Sequence, residues 1–227
     1  MIAALLRHVL RHPLLLAAAL LAAALPATAH MPLVKGRLVD LTQRSDAIVI
    51  GRVSATAPIR DRQVVATVQI DRVLSGDLAH QSRLAFRASS GLASGERQVL
   101  FLVRTDSGYA SVQQPGTVFP CRPEDDATYL AAVTDVHRAL TLRGDAQVTA
   151  LRAALIPLLS ASVAELRYHA ALELSALAAG GHGPTPAEQA ALARWLEAPG
   201  SDPALRPIVR SVSSRSVTSP SSPGDQP

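Results

Sequence analysis

The feature that most constrains this chain is a change of hydrophobic period at the bridge Pro120-Cys121-Arg122-Pro123. Ahead of the bridge, apolar and polar side chains alternate. Behind it, apolar residues recur every third or fourth position. Successive side chains of a strand point to opposite faces, whereas a helix repeats about every 3.6 residues, so the chain divides into a β half and an α half.

In the first half, Ala47 to Ala55 is rich in β-branched residues. Val64, Ala66, Val68 and Ile70 alternate with Val65, Thr67, Gln69 and Asp71, which predicts a strand with one buried face. Ser75-Gly76-Asp77 reads as a turn, after which Leu84 and Phe86 point inward from Arg83 to Ala88. Val99 to Val103 is continuously apolar and predicts a strand buried on both faces. Asp106-Ser107-Gly108 supplies a tight hairpin to Tyr109–Gln113, since glycine accepts the positive φ such turns need. Thr117 to Phe119 reads as a last short strand, and Leu38 and Leu41 as a short leading helix ending near Arg44. Five or six short antiparallel strands favour a small closed barrel or a sandwich, because closure removes exposed edges.

Behind the bridge, Ala127 to Leu140 places Leu130, Val133, His137 and Leu140 on one helical face, after an acidic first turn of Glu124, Asp125 and Asp126. That acidic run suits either a cation or the positive end of the helix. Asp145 is positioned to cap a helix carrying Val148, Leu151, Leu155 and Leu158, with Pro157 as a kink. Ser162-Val-Ala-Glu165 and Thr185-Pro-Ala-Glu188 both read as capping boxes. The first precedes a helix through Leu177, stopped at Gly180-Gly181; the second precedes one bearing Leu192 and Trp195. Asp202-Pro203 opens a last short helix through Val212. Each is short for a helix standing alone, so they must pack together. Residues 213–227 are Ser- and Pro-rich and read as a disordered tail.

The N-terminus has its own logic. Arg7 and Arg11 precede an apolar run from Pro13 to Leu25, and Ala27-Thr28-Ala29 supplies the small residues that signal peptidase requires. Residues 1–29 therefore read as a signal peptide cleaved between Ala29 and His30, and the chain as a periplasmic or secreted protein. An uncleaved anchor is the competing reading, disfavoured because the apolar core is short against a bilayer of about 30 Å. No later run approaches that length, so the mature chain has no stable membrane span. Removing Arg7 and Arg11 leaves 20 basic against 18 acidic residues, too even a balance for a nucleic-acid partner. Cys121 is the only cysteine, which excludes an internal disulfide and leaves intermolecular pairing open.

The run Asp46-Ala-Ile-Val-Ile-Gly-Arg-Val53, then Val68-Gln-Ile-Asp-Arg-Val-Leu-Ser-Gly76, then Gly95-Glu-Arg-Gln-Val-Leu-Phe-Leu102 resembles the OB-fold barrel of tissue inhibitors of metalloproteinases and netrin-like domains. It is similar to disulfide-free bacterial secreted relatives of that group over roughly residues 45–120. The resemblance implies an inhibitor that presents its mature N-terminus to a protease zinc. The inhibitors begin with a disulfide-held cysteine, whereas this chain would begin with His30. Ala150 to Leu177 resembles one HEAT repeat, with Leu155-Ile-Pro-Leu-Leu159 in its first helix and Leu166-Arg-Tyr-His-Ala-Ala171 opening its second. A small helical bundle explains the same segment, since solenoids need about three repeats. The expected class is α+β: signal peptide 1–29, β-barrel 30–120, helical hairpin or bundle 121–212, tail 213–227.

No catalytic signature is present. Gly91-Leu-Ala-Ser-Gly95 has the wrong spacing for a nucleophile elbow, and Lys35, the only lysine, forms no Ser-x-x-Lys. The only cofactor suggested is copper, held by the imidazole and terminal amine of a mature His30 with help from His80, His137, His169 or His182. His169 and Glu173, four apart on one helix, suit a metal or a hydrogen-bonded pair. Phe86 and Phe101 read as core, leaving Tyr109, Phe119, Tyr129, Tyr168 and Trp195 for surface contacts. The loops 57–62 and 88–95 are the natural surfaces for a protein or peptide partner. The expected function is an exported, non-enzymatic interaction module. The alternatives are an inhibitor acting through its mature N-terminus and a copper protein or enzyme built on His30.

Overall fold

The computed structural model describes residues 36–59, 63–89, 95–113 and 119–215, all within one compact unit. Residues 1–29, read above as a signal peptide, His30 and residues 216–227 lie outside the described residues. Helix α1 (Leu38–Arg44) leads into strands β1 (Ala47–Pro58), β2 (Gln63–Ser75), β3 (Arg83–Ser89), β4 (Arg97–Thr105) and β5 (Gly108–Ser111). They close into a barrel in the order β1-β2-β3-β5-β4.

One expectation needs correction, because the barrel is not wholly antiparallel. β4 returns beside β1, and the tight turn at Asp106 and Ser107 places β5 on the far side of β4, running in the direction of β3. The closing seam is therefore parallel, with Phe86 and Arg87 beside Tyr109 and Ala110. Three register shifts between β1 and β2 bend these two long strands around the barrel. Gly51 sits at one of them. A Cβ there would collide with the Gln69 carbonyl oxygen and the Val68 side chain, so the strands cross closely only because this residue has none. Gly76, in the turn after β2, has φ +89° and lies against the Asp46 carbonyl and Ala47, which excludes a side chain twice over.

The alternation read from the sequence is present. Val49, Val53, Ala66, Val68, Phe86, Leu100 and Leu102 form the barrel core, with Val64, Ile70 and Leu84 packed against it. Ile48, Ile50, Val99 and Phe101 are just as buried but take the alternate positions, so they face outward from the barrel. β4 is thus buried on both faces because a second layer covers its outside.

That layer is helical: α2 (Asp126–Leu140), α3 (Gly144–Leu158), α4 (Ala164–Ala179), α5 (Pro186–Glu197) and α6 (Arg206–Ser213), entered through a 3-10 turn at Pro123–Asp125. α1 packs against α2, α4 and β4, and α2 also meets β2. The bridge around Pro120 is no loose connector. Pro120 pairs with Gln98, the Cys121 N–H donates to the Arg97 carbonyl, and Tyr129 Oη donates to the Pro120 carbonyl. Of the strand expected at Thr117–Phe119, only Phe119 lies among the described residues, where its carbonyl accepts the Val99 N–H.

Other helical readings shift in instructive ways. The buried face of α2 is Tyr129, Ala132, Val133, Val136 and Ala139; His137 is exposed, and Leu130 and Leu140 are half-buried. Alanines let the helix approach closely, so the packed face is the small one rather than the leucine-bearing one. Asp145 lies within the first turn of α3, whose N-cap is Arg143. The Ser162–Glu165 box does not form, because α4 begins at Ala164 with Val163 as its N-cap. The Thr185–Glu188 box does form: Glu188 N–H donates to Thr185 Oγ1 at 3.3 Å, and Thr185 N–H to Glu188 Oε2 at 2.7 Å. The last helix starts at Arg206 rather than Asp202, with Val209 and Val212 buried. No helix among the described residues is long and apolar enough to cross a membrane.

Candidate functional site

Perturbed titratable groups mark reactive sites, and the interior holds several titratable side chains. His169 and Glu173 project from α4 toward the start of α1. Helix α1 has no side-chain cap of its own at Arg37. Its first amides are taken up from a distance: Leu38 N–H donates to His169 Nδ1 at 3.2 Å, and Val39 N–H to Glu173 Oε1 at 3.3 Å. The i,i+4 spacing is therefore used to cap a neighbouring helix, satisfying two of its orphan donors. His169 must carry its proton on Nε2 to accept through Nδ1. Its ring lies 4.7 Å from that of Phe119, which in turn lies 5.0 Å from Phe101 on β4. Burial, with a smaller contribution from Arg37, lowers the His169 pKa to about 4, so the ring is neutral at pH 7.

The second cluster joins the barrel wall to α2. Arg97 donates from Nε to Asp71 at 2.7 Å and grips Asp126 with both terminal nitrogens, at 2.7 and 2.9 Å. The hydrogen bonds from Arg97 hold the Asp126 carboxyl below its ordinary pKa. Asp125 accepts the Arg122 N–H, so two of the three acidic residues of this turn are committed to protein groups rather than to a cation. Cys121 is buried beside Arg97, and desolvation pushes its thiol up to about 12 despite that guanidinium. A thiol so protonated and enclosed is neither a nucleophile nor available for intermolecular pairing.

A third charged pair lies among the helices. Arg152, on the apolar face of α3, donates to Glu188 Oε2 at 2.9 Å, the same oxygen that closes the α5 capping box. Trp195 Nε1 donates to the Leu159 carbonyl at 3.0 Å. The remaining histidines are scattered: His80 and His137 are exposed and His182 is half-buried. Among the described residues, no three His, Cys, Asp or Glu side chains come together as a metal site. His30, expected as a copper ligand, and Ala29, expected to precede a cleavage site, fall outside the described residues.

With the interior chemistry consumed by structure, the exposed barrel wall becomes the candidate surface. Residues paired across strands share a face. The register therefore sets Arg97, Arg52, Gln69 and Arg83 in one row across β4, β1, β2 and β3. Like charges directly opposite repel. At Arg97 the repulsion is offset by Asp71 and Asp126 on the helical side. Arg52 makes only a bond to the Gly95 carbonyl, and Arg83 and Arg87 make no hydrogen bond or ion pair among the described residues. Val65, Gln69, Arg83, Ala85 and Arg87 are all exposed along this wall. Of the aromatics left for surface contacts, Phe119, Tyr129 and Trp195 are buried, Tyr109 is half-buried and Tyr168 is exposed, with Arg37 over its ring. No residue of the sequence reading singled out Arg52, Arg83 or Arg87; their common face follows from register.

Comparison with known proteins adds no relative: no protein-family model matches the chain, and no curated protein is significantly similar to it.

Proposed function

We propose that this chain is an exported, non-catalytic interaction module that engages a protein or peptide partner through its barrel. The observation that carries the reading is the contrast within the arginine row. Every perturbed titratable group described above is tied into hydrogen bonds, ion pairs or the core, whereas the guanidiniums on the outer wall of β1–β3 have no carboxylate partner among the described residues. A catalytic site needs reactive groups with access to substrate, and partner binding needs exposed, complementary surface.

The strand order, closed by a parallel β3–β5 seam, favours assignment of the barrel to the OB class, a five-stranded barrel with a ligand-binding face. The packing of α3 against α4 favours a HEAT-like hairpin, although helices α5 and α6 complete a bundle without further repeats. Export rests on the Arg7–Ala29 pattern of the sequence.

Cross-linking in intact cells, followed by isolation from the extracytoplasmic fraction, tests the reading. The expected result is an N-terminus at His30 and one reproducible protein adduct mapping to the barrel. Cytoplasmic location, an adduct confined to the helices, or turnover of a substrate by the purified chain would overturn it.

A further inference from the structure

We propose that the open wall of the barrel receives an acidic polypeptide segment whose carboxylates pair with Arg52, Arg83 and Arg87. This rests on the interaction-module reading and names the chemistry of its partner. Arg83 and Arg87 stand on one face of β3, four residues apart, a spacing of about 13 Å along the strand. Arg52 lies in the Arg83 row two strands away, about 10 Å across. The three guanidiniums thus form a triangle matched by an extended chain bearing carboxylates at every second or fourth residue.

Among the described residues, strands β1 to β3 present no free carboxylate on this wall. Its outward positions on β1 to β3 are Arg52, Ser54 and, past the register shift, Ala57, then Gln63, Val65, Thr67 and Gln69, then Arg83, Ala85 and Arg87, with Asp71 already held by Arg97. The same positions argue against other polyanions. Bases and sugars are held on such barrels by stacking on aromatic rings, and none is present on this wall. A lipid surface is held by basic residues together with large apolar ones that enter the interface. Val65 and Ala85 are too small for that, and Ile59, exposed just past β1, is a single side chain at the edge of the wall. Guanidinium–carboxylate pairing needs neither, and Gln69 and Thr67 between the arginines offer hydrogen bonds to a partner backbone.

The test uses the full mature chain and a fluorescent peptide alternating Glu and Thr over about 12 residues, long enough at ~3.3 Å per residue to cross the wall. Anisotropy is measured against the triple variant Arg52→Gln/Arg83→Gln/Arg87→Gln and a control triple, Arg143→Gln/Arg194→Gln/Arg210→Gln. The control removes the same charge from exposed helical positions. The expected result is binding that weakens about tenfold in the wall variant, less than about twofold in the control, and fades with salt. Retained urea midpoints show that both variants fold. Equal losses in the two variants, no peptide binding at low salt, or tighter capture of phosphatidylglycerol vesicles or a sulfated polysaccharide by the same arginines would overturn the proposal. These outcomes leave the cellular adduct untouched, so failure here and failure of the interaction-module reading are separable.

Discussion

The two sides of the barrel wall use the same residue type to opposite ends. On the covered side, Arg97 is almost enclosed and spends its donors on Asp71, Asp126 and the Cys121 carbonyl. On the open side, in the same cross-strand row, Arg52 and Arg83 are exposed and have no carboxylate partner among the described residues. A charge can be buried only with its partners, because desolvation otherwise exceeds what the fold gains. A charge left exposed without partners does little for stability and is free to serve recognition. Coverage by helices, not residue identity, separates the structural arginine from the candidate binding ones.

The comparison is sharpened most by removing a covered group. His169→Ala should lower unfolding free energy by about 4 kcal/mol, because it opens a cavity against Phe119 and leaves the Leu38 N–H without its acceptor. Gln69→Ala on the open wall should stay within about 0.5 kcal/mol in the same urea titration. Comparable losses would show that the wall is as structural as the seam.

Acid probes the covered side without a mutation. The His169 pKa lies below its unfolded value of 6.5, at about 4, so the unfolded chain binds the proton first. This contribution is fully present above pH 6.5, declines as pH falls toward 4, and changes no further below that. It amounts to about 3 kcal/mol. Asp126, with its lowered pKa, loses its contribution in the same direction at lower pH. His169→Gln keeps an acceptor without a titrating ring. It should flatten the stability profile between pH 6.5 and 4; an unchanged slope would remove His169 as its source.

Thr185→Ala should cost about 1 kcal/mol by unmaking the capping box, with no change in peptide binding. The smallest effect expected is a gain. Gln98 faces the barrel core beside Gly51, wholly buried, and its amide atoms have no partner among the described residues. Gln98→Met should stabilise by about 0.5–1 kcal/mol, since an apolar group of similar shape removes an unpaid desolvation cost. Destabilisation would reveal a hidden partner for that amide.

How much of this was legible in the sequence depends on range. Strands β1 to β4, the Gly76 and Gly108 turns and the Thr185 box were readable, because alternation, positive φ and capping act over a few residues. The packed face of α2 was misread because alanine carries little hydrophobic signal yet permits the closest approach. The acceptors of the α1 amides lie 131 and 134 positions away, and Arg152 reads as an interruption of an apolar face until Glu188 is brought to it. The parallel seam and the arginine row depend on register, which no local pattern encodes.

The most direct test of the division between covered and open wall is urea denaturation of two variants from one row, Arg97→Gln and Arg83→Gln. The first should lose about 3 kcal/mol, leaving the part-buried Asp126 without its cation, and the second less than about 0.5 kcal/mol. Equal losses, or a larger loss at Arg83, would contradict the account.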